Sequence, residues 1–213
     1  MVDEVRVAII DEDQPRWLAF LSEELDMLGG KVGSVPGTYV PKSLPNGKLL
    51  PSLQKRGIGA RQQINPEVVI FFFNMEDPTI GGYTPDKVAL RRAISLGWNV
   101  DREITVLRYG QGVPAQSMVV PHTFGYDPMF KSEASSFDPA RAKALLDIYG
   151  YKDLDGDGYR ERPDGQPLTV EYYTQSEQFY REQSAELLKN MRAIGLRFRN
   201  IVGLWPEQAK QAR

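Results

Sequence analysis

Between residues 153 and 165 the chain places five carboxylates and three glycines, in the run Asp153-Leu-Asp155-Gly156-Asp157-Gly158-Tyr159-Arg-Glu161-Arg-Pro163-Asp164-Gly165. Such a density of like charge either repels itself open or gathers round a hard cation that accepts oxygen ligands. Numbered as a twelve-residue calcium loop, Asp153, Asp155 and Asp157 take positions 1, 3 and 5, and Gly158 takes position 6. The Tyr159 carbonyl, Glu161 and Asp164 then fall at positions 7, 9 and 12. Position 12 is the shorter Asp rather than Glu, and a strand-like run follows instead of a helix, so this is no EF-hand. The other reading is an Asp/Gly turn whose side chains bond their own backbone. Both stay open, with calcium as the metal of the first.

The remaining chemistry is sparse. The chain has no cysteine, which removes disulfides, thiolate metal sites and cysteine nucleophiles together. Its one histidine, His122, lies in Val119-Val-Pro121-His122-Thr-Phe124-Gly125 with no nucleophile motif beside it. Gly57-Ile-Gly59 and Gly110-Gln-Gly112 do not continue into a phosphate-binding loop and read as turns. No particular pair of carboxylates is marked for acid–base work. The expectation is a protein that is not an enzyme.

Bulk properties narrow the partners. Over 213 residues, 41% hydrophobic and 25% charged residues are ordinary for a globular protein. A net charge of −2 argues against nucleic acid as a partner. The longest apolar run, Val68-Val-Ile-Phe-Phe-Phe73, is far too short to span a bilayer, so membrane insertion is not expected. No signal peptide opens the chain, and it stops at Arg213 within what reads as a helix begun near Pro206. The opening reads either as a cytoplasmic protein or as a chain cut from something longer, and the end within a helix favours the second.

The positioning elements follow from caps and periodicity. Residues 5–10 alternate and predict a strand; Asp13 caps a helix with Trp17, Phe20, Leu21 and Leu25 on its apolar side. Residues 29–51 read as an irregular connection, and 68–73 as a strand buried on both faces. Thr84 and Pro85 open a helix with Leu90, Ala93, Ile94 and Gly97 on one side, and Asp101 caps a short one that Gly110 ends. Residues 111–137 read as a long ordered loop. Asp138 and Pro139 open another helix, with Ala142, Leu145, Leu146 and Tyr149 as its stripe and Gly150 as its stop. Strand 168–173, a helix from about Ser176 to Gly195 and strand 196–201 then form a βαβ unit with parallel strands. The class is α/β, a mixed sheet with flanking helices.

Four pieces in order resemble the peptide/nickel class, family 5, of extracellular solute-binding proteins, the periplasmic components of ABC importers. They are Phe72-Phe73-Asn74 with the segment Asp86 to Ile104; the loop Gly110-Gln111-Gly112-Val113-Pro114-Ala115; the helix Asp138-Pro139-Ala140-Arg141-Ala142-Lys143-Ala144-Leu145-Leu146; and Gly150-Tyr151 through Glu161. The resemblance implies a two-lobed binding protein that closes on a small solute, usually a peptide, and hands it to a membrane permease. It implies a periplasmic protein without catalysis or required cofactor. It also implies that this chain is most of one lobe, with residues 1–65 crossing over from the first lobe and 66–213 forming the second, and with ligand-facing segments lying beyond Arg213. The acidic loop would then be peripheral and structural.

Open α/β sheets bind ligands at strand ends, and Asn74 closes the apolar run. Phe72, Asn74, Gln111 and Gln116 are therefore the candidates for the ligand-facing side, with Phe72 equally placed to be core. A free-standing calcium-binding interaction domain, centred on Asp153–Asp164, is the competing reading of the whole.

Overall fold

Three helices and one strand pair build the part of the molecule that carries the acidic loop, Phe72, Asn74 and Gln116. The structure is a computed structural model, and it describes residues 2–10, 12–28, 39–61 and 66–211. The chain divides into two compact units, one of Met1–Gln63 with Arg108–Gln111, the other of Ile64–Leu107 with Gly112–Arg213.

In the smaller unit, α1 spans Asp13–Leu21 and is followed by the short turns α2 (Val40–Ser43) and α3 (Pro51–Gln54), with a 3-10 turn at Pro45–Gly47 between them. The irregular connection expected over 29–51 thus contains helical turns from residue 40 on, each with a proline at its start; residues 29–38 lie outside the described residues. Pro pre-sets the φ that a first turn needs and gives up an N–H that would have no partner there. Trp17 is buried and stacks on Tyr39 with ring centres 5.2 Å apart. The N-cap of α1 is Glu12, not Asp13; Asp13 sits in the first turn and pairs with Arg16 at 2.6 Å. Capping belongs to the residue just outside the helix, and here the helix begins one residue early.

The strand expected over 5–10 does not form. Val5, Val7 and Ile9, the side that should have been buried, are 78%, 82% and 89% exposed. The segment 68–73 is likewise in no ladder, and Val69, Ile70, Phe71 and Phe72 are 42–61% exposed rather than buried on both faces. An apolar pattern states a need for burial, but a strand exists only where another backbone meets its N–H and C=O groups. Among the described residues the single sheet is β1–β2.

In the larger unit the helices and the βαβ unit expected after residue 84 form. Helix α4 (Pro85–Gly97) buries Leu90, Ala93, Ile94 and Gly97. A short turn α5 (Val100–Arg102) runs on into a π-helical turn at Glu103–Leu107. Its cap is Asn99, whose side chain accepts from the Arg102 N–H at 2.9 Å, and not Asp101, which lies inside the turn. The turns stop at Leu107, before Gly110. Helix α6 (Pro139–Ile148) starts as expected, with the Asp138 carboxylate accepting from the Arg141 N–H at 2.9 Å. The Asp138 N–H donates to the Leu96 carbonyl at 2.8 Å and so ties α6 to the end of α4. Strands β1 (Thr169–Thr174) and β2 (Arg197–Val202) pair in parallel, with Val170 opposite Phe198, and are joined by α7 (Gln178–Ala193). A last helix, α8, spans Trp205–Gln211.

Leu90, Leu146, Tyr151, Met191, Ile194 and Leu196 form the centre of this unit, each at most 1% exposed. Burial pushes the Tyr151 and Tyr172 phenols up to about 12. Their folded values lie above the ordinary value of about 10, so the stability they contribute is complete below pH 10 and is lost as pH rises towards 12. The expected outcome is an alkaline unfolding transition in that window by circular dichroism, shifted upward in Tyr172→Phe.

Candidate functional site

The candidate solute face is built on the segment before α4. Phe72 is 58% exposed, which places it at the surface and not in the core. Asn74 is exposed, and its side-chain oxygen accepts from the Glu76 N–H at 3.0 Å, so it closes a turn as well as the apolar run. Gln116 is half-buried and its side-chain oxygen accepts from the Ser132 N–H at 3.0 Å. Its amide NH2 has no hydrogen-bond partner among the described residues. Gln111 is exposed and belongs to the smaller unit, where its N–H donates to the Arg108 carbonyl at 2.8 Å.

Behind Phe72 lies a network that sequence reasoning missed. Phe71 meets Trp98 edge-on at 5.3 Å and Tyr172 edge-on at 5.8 Å, which holds the apolar segment beside β1. Trp98 Nε1 donates to Glu103 at 3.1 Å, and Gln183 Nε2 donates to the other Glu103 oxygen at 3.0 Å. Trp98, Glu103 and Gln183 are all buried. A buried carboxylate is tolerable only when donors replace its water, and these two side chains supply them. The signal available beforehand was a Trp on the heels of α4 and a Glu one turn later; Gln183, 80 residues on, carried none. Next to it, the Thr174 and Ser184 hydroxyls bond at 3.1 Å, and Gln208 donates to the Thr174 carbonyl at 2.8 Å.

The acidic loop is bonded largely to itself. Asp153 accepts from the N–H groups of Gly156 and Gly158 at 2.7 and 2.9 Å, and Glu161 accepts from Leu154 N–H at 2.7 Å. Asp155 accepts from Asp157 N–H and Asp157 from Tyr159 N–H, each two residues on. Asp153, Asp155 and Glu161 bring oxygens within 4.8 Å of one another. The other expected ligands are turned to different work. Asp157 pairs with Arg197, whose guanidinium also lies 4.5 Å from the Tyr159 ring centre, and Asp164 accepts from Gln166 N–H at 3.0 Å. Gly156 and Gly158 have φ of +81° and +89°, a conformation that glycine alone adopts without strain.

The family described as bacterial extracellular solute-binding proteins, family 5 Middle, matches residues 1–212. No curated protein matches the chain in sequence. The crystal structure of NikA from Brucella suis in complex with Fe(III)-EDTA is similar at 22% identity and TM-score 0.67, over 96% of this chain and 38% of that one. The oligopeptide-binding protein AppA from Bacillus subtilis, in complex with a nonapeptide, is similar at 20% identity and TM-score 0.53, over 58% of this chain and 24% of that one. A periplasmic oligopeptide-binding protein of Thermotoga maritima, bound to mannohexaose, is similar at 20% identity and TM-score 0.54, over 84% and 36%. The chain thus spans about a quarter to two fifths of the length of these proteins. At such identities the likeness is one of fold.

Proposed function

Since the chain belongs to family 5 of the bacterial extracellular solute-binding proteins, we propose that it forms part of a solute receptor that delivers its ligand to the membrane permease of an ABC importer. The family is one of periplasmic binding proteins, and the α/β fold matches one lobe of them. The solute class is peptide, and the chain contributes binding surface without a catalytic step. Among the described residues no helix is long and apolar enough to cross a membrane.

The observation that carries this reading is the exposed Val69–Phe72 run, braced from behind by Trp98 and Tyr172 and ended by Asn74. Apolar groups held at a surface by a rigid, hydrogen-bonded backing, with the Asn74 amide at the end of the run, are what a largely apolar ligand with a few polar groups needs. Phe72, Asn74, Gln111 and Gln116 are the ligand-facing residues of this proposal.

Mass spectrometry of the solute carried by the longer protein is expected to find a peptide. A metal chelate or sugar would overturn the solute class but not the receptor. Calorimetry with that solute should show the 213-residue chain binding at least about 100-fold more weakly, because enclosure from one side buries about half the ligand surface. Equal affinities would overturn the single-lobe reading. In the longer protein, Asn74→Ala should weaken binding by about ten-fold, the loss of one hydrogen bond to a buried ligand.

The convergence of Asp153, Asp155 and Glu161 favours a second reading for the acidic loop alone: weak calcium binding that stabilises the fold and adds no activity. A cation bound only by the folded form raises the melting temperature by mass action. Millimolar calcium should raise it by about 2–4 °C over chelator, and Glu161→Gln should abolish the shift. No difference between calcium and chelator would leave the self-bonded turn as the account of this loop.

A further inference from the structure

We propose that the larger unit carries an anion site apart from the solute face, in an open pocket of about 420 Å³ lined by Lys143, Lys152, Arg160 and Arg192 with Asp147 and Asp153. The ligand class is a compact oxyanion of at least two charges, with phosphate-type chemistry. Four cations face two carboxylates there, and both carboxylates are engaged. Asp147 accepts from Arg160 at 2.5 Å, and Asp153 accepts from Gly156 and Gly158. Arg160 in turn donates to the Tyr151 and Ile194 carbonyls at 2.6 and 3.0 Å.

Lys143 on α6, Lys152 beyond it and Arg192 in the last turn of α7 remain, and among the described residues none of them has an ion-pair partner. Neighbouring cations behave differently: Arg141 pairs with Glu133, Arg197 with Asp157 and Arg199 with Glu171. Three unpaired cations from three places on one concave surface repel one another, and a small anion among them relieves that repulsion. Arg192 offers a planar fork to two oxygens, and the lysines offer point charges that adapt to the rest. At the carbonyl end of α7, which would oppose an anion, Arg160 meets the Ile194 carbonyl, and backbone N–H groups of Ile194, Gly195 and Leu196 meet the carbonyls of Met191 and Arg192. Asp155 and Glu161 stand beyond Asp153 and weaken the field, so the affinity is modest and salt-sensitive.

The test is calorimetry of the 213-residue chain with inorganic pyrophosphate at low salt, alongside flotation with phosphatidylglycerol vesicles. The expected result is saturable pyrophosphate binding with a Kd of about 1 mM or tighter, weakened about ten-fold or more in Lys143→Gln/Arg192→Gln. Lys152→Gln should also weaken it, whereas Lys131→Gln, an exposed lysine outside the pocket, should not. All these positions are exposed, so melting curves should stay close to those of the parent. Vesicle binding lost in the same double variant would assign the source to a lipid headgroup; pyrophosphate binding without vesicle binding would assign it to a free anion. Absence of saturable pyrophosphate binding, or binding unchanged in the double variant, would overturn the site.

Discussion

Gly81→Ala should destabilise the larger unit by about 3 kcal/mol or more, enough to abolish much of its cooperative folding. Gly81 is buried in the turn that joins the candidate solute face to α4. A methyl group there would lie 2.6 Å from the Asp77 carbonyl oxygen and closer still to the Met75 peptide. These are backbone atoms, and they cannot swing aside. Their positions are fixed by Gly81 N–H donating to Asp77 O and Gly82 N–H to Met75 O, both at 2.8 Å. The Asp77 carboxylate adds bonds from Thr79 and Ile80 N–H, and Arg91 holds the Ile80 carbonyl at 2.6 Å. Gly82→Ala is the comparison. Its φ of +81° costs about 1 kcal/mol, but the nearest atom to an added methyl is a Lys87 carbon at 3.8 Å. Urea denaturation should therefore rank Gly81→Ala well below Gly82→Ala. The reverse order would mean that the turn is not built as described.

Arg160→Met should cost about 2–4 kcal/mol, although its ion pair with Asp147 accounts for little of that. The arginine side chain is 13% exposed and reaches two backbone carbonyls, those of Tyr151 and Ile194. It thereby joins the end of α6, the acidic loop and the end of α7, and its own N–H adds a bond to the Gly195 carbonyl at 2.8 Å. Methionine would keep the apolar stem and strand both carbonyls away from a donor, which is the costly half of a lost hydrogen bond. Asp147, with its side chain 58% exposed, should tolerate Asn with a change under about 1 kcal/mol. Equal losses in the two variants would show that the ion pair, not the carbonyl bonds, holds the joint.

Helices α4, α6 and α7 were legible because their signals are local. A proline at the start of α4 and α6, the capping Asp138 of α6, apolar residues on one side of all three and a glycine beyond α6 and α7 decide a helix within a dozen or so neighbours, and these operate whatever the chain meets later. The parallel pairing of β1 with β2 was equally legible, since a helix between two strands forces a crossover. Residues 5–10 and 68–73 show the limit. Val5-Arg-Val7-Ala-Ile9 and Val68 to Phe73 have strand composition, yet the partner that makes a strand is a property of the whole fold.

The candidate sites divide in the same way. Spacing alone brought Asp153, Asp155 and Glu161 into one short loop, because the turn that joins them is closed by their own backbone bonds. Tertiary structure decided that Asp157 would not join them, since Arg197 arrives from β2, 40 positions further along the chain. It also set Gln183 against Glu103 across 80 residues and turned Phe71 onto Trp98 and Tyr172. Sequence determines which groups a residue's near neighbours can satisfy. Burial leaves the remaining polar groups without water, and only the packed fold decides which distant donor replaces it.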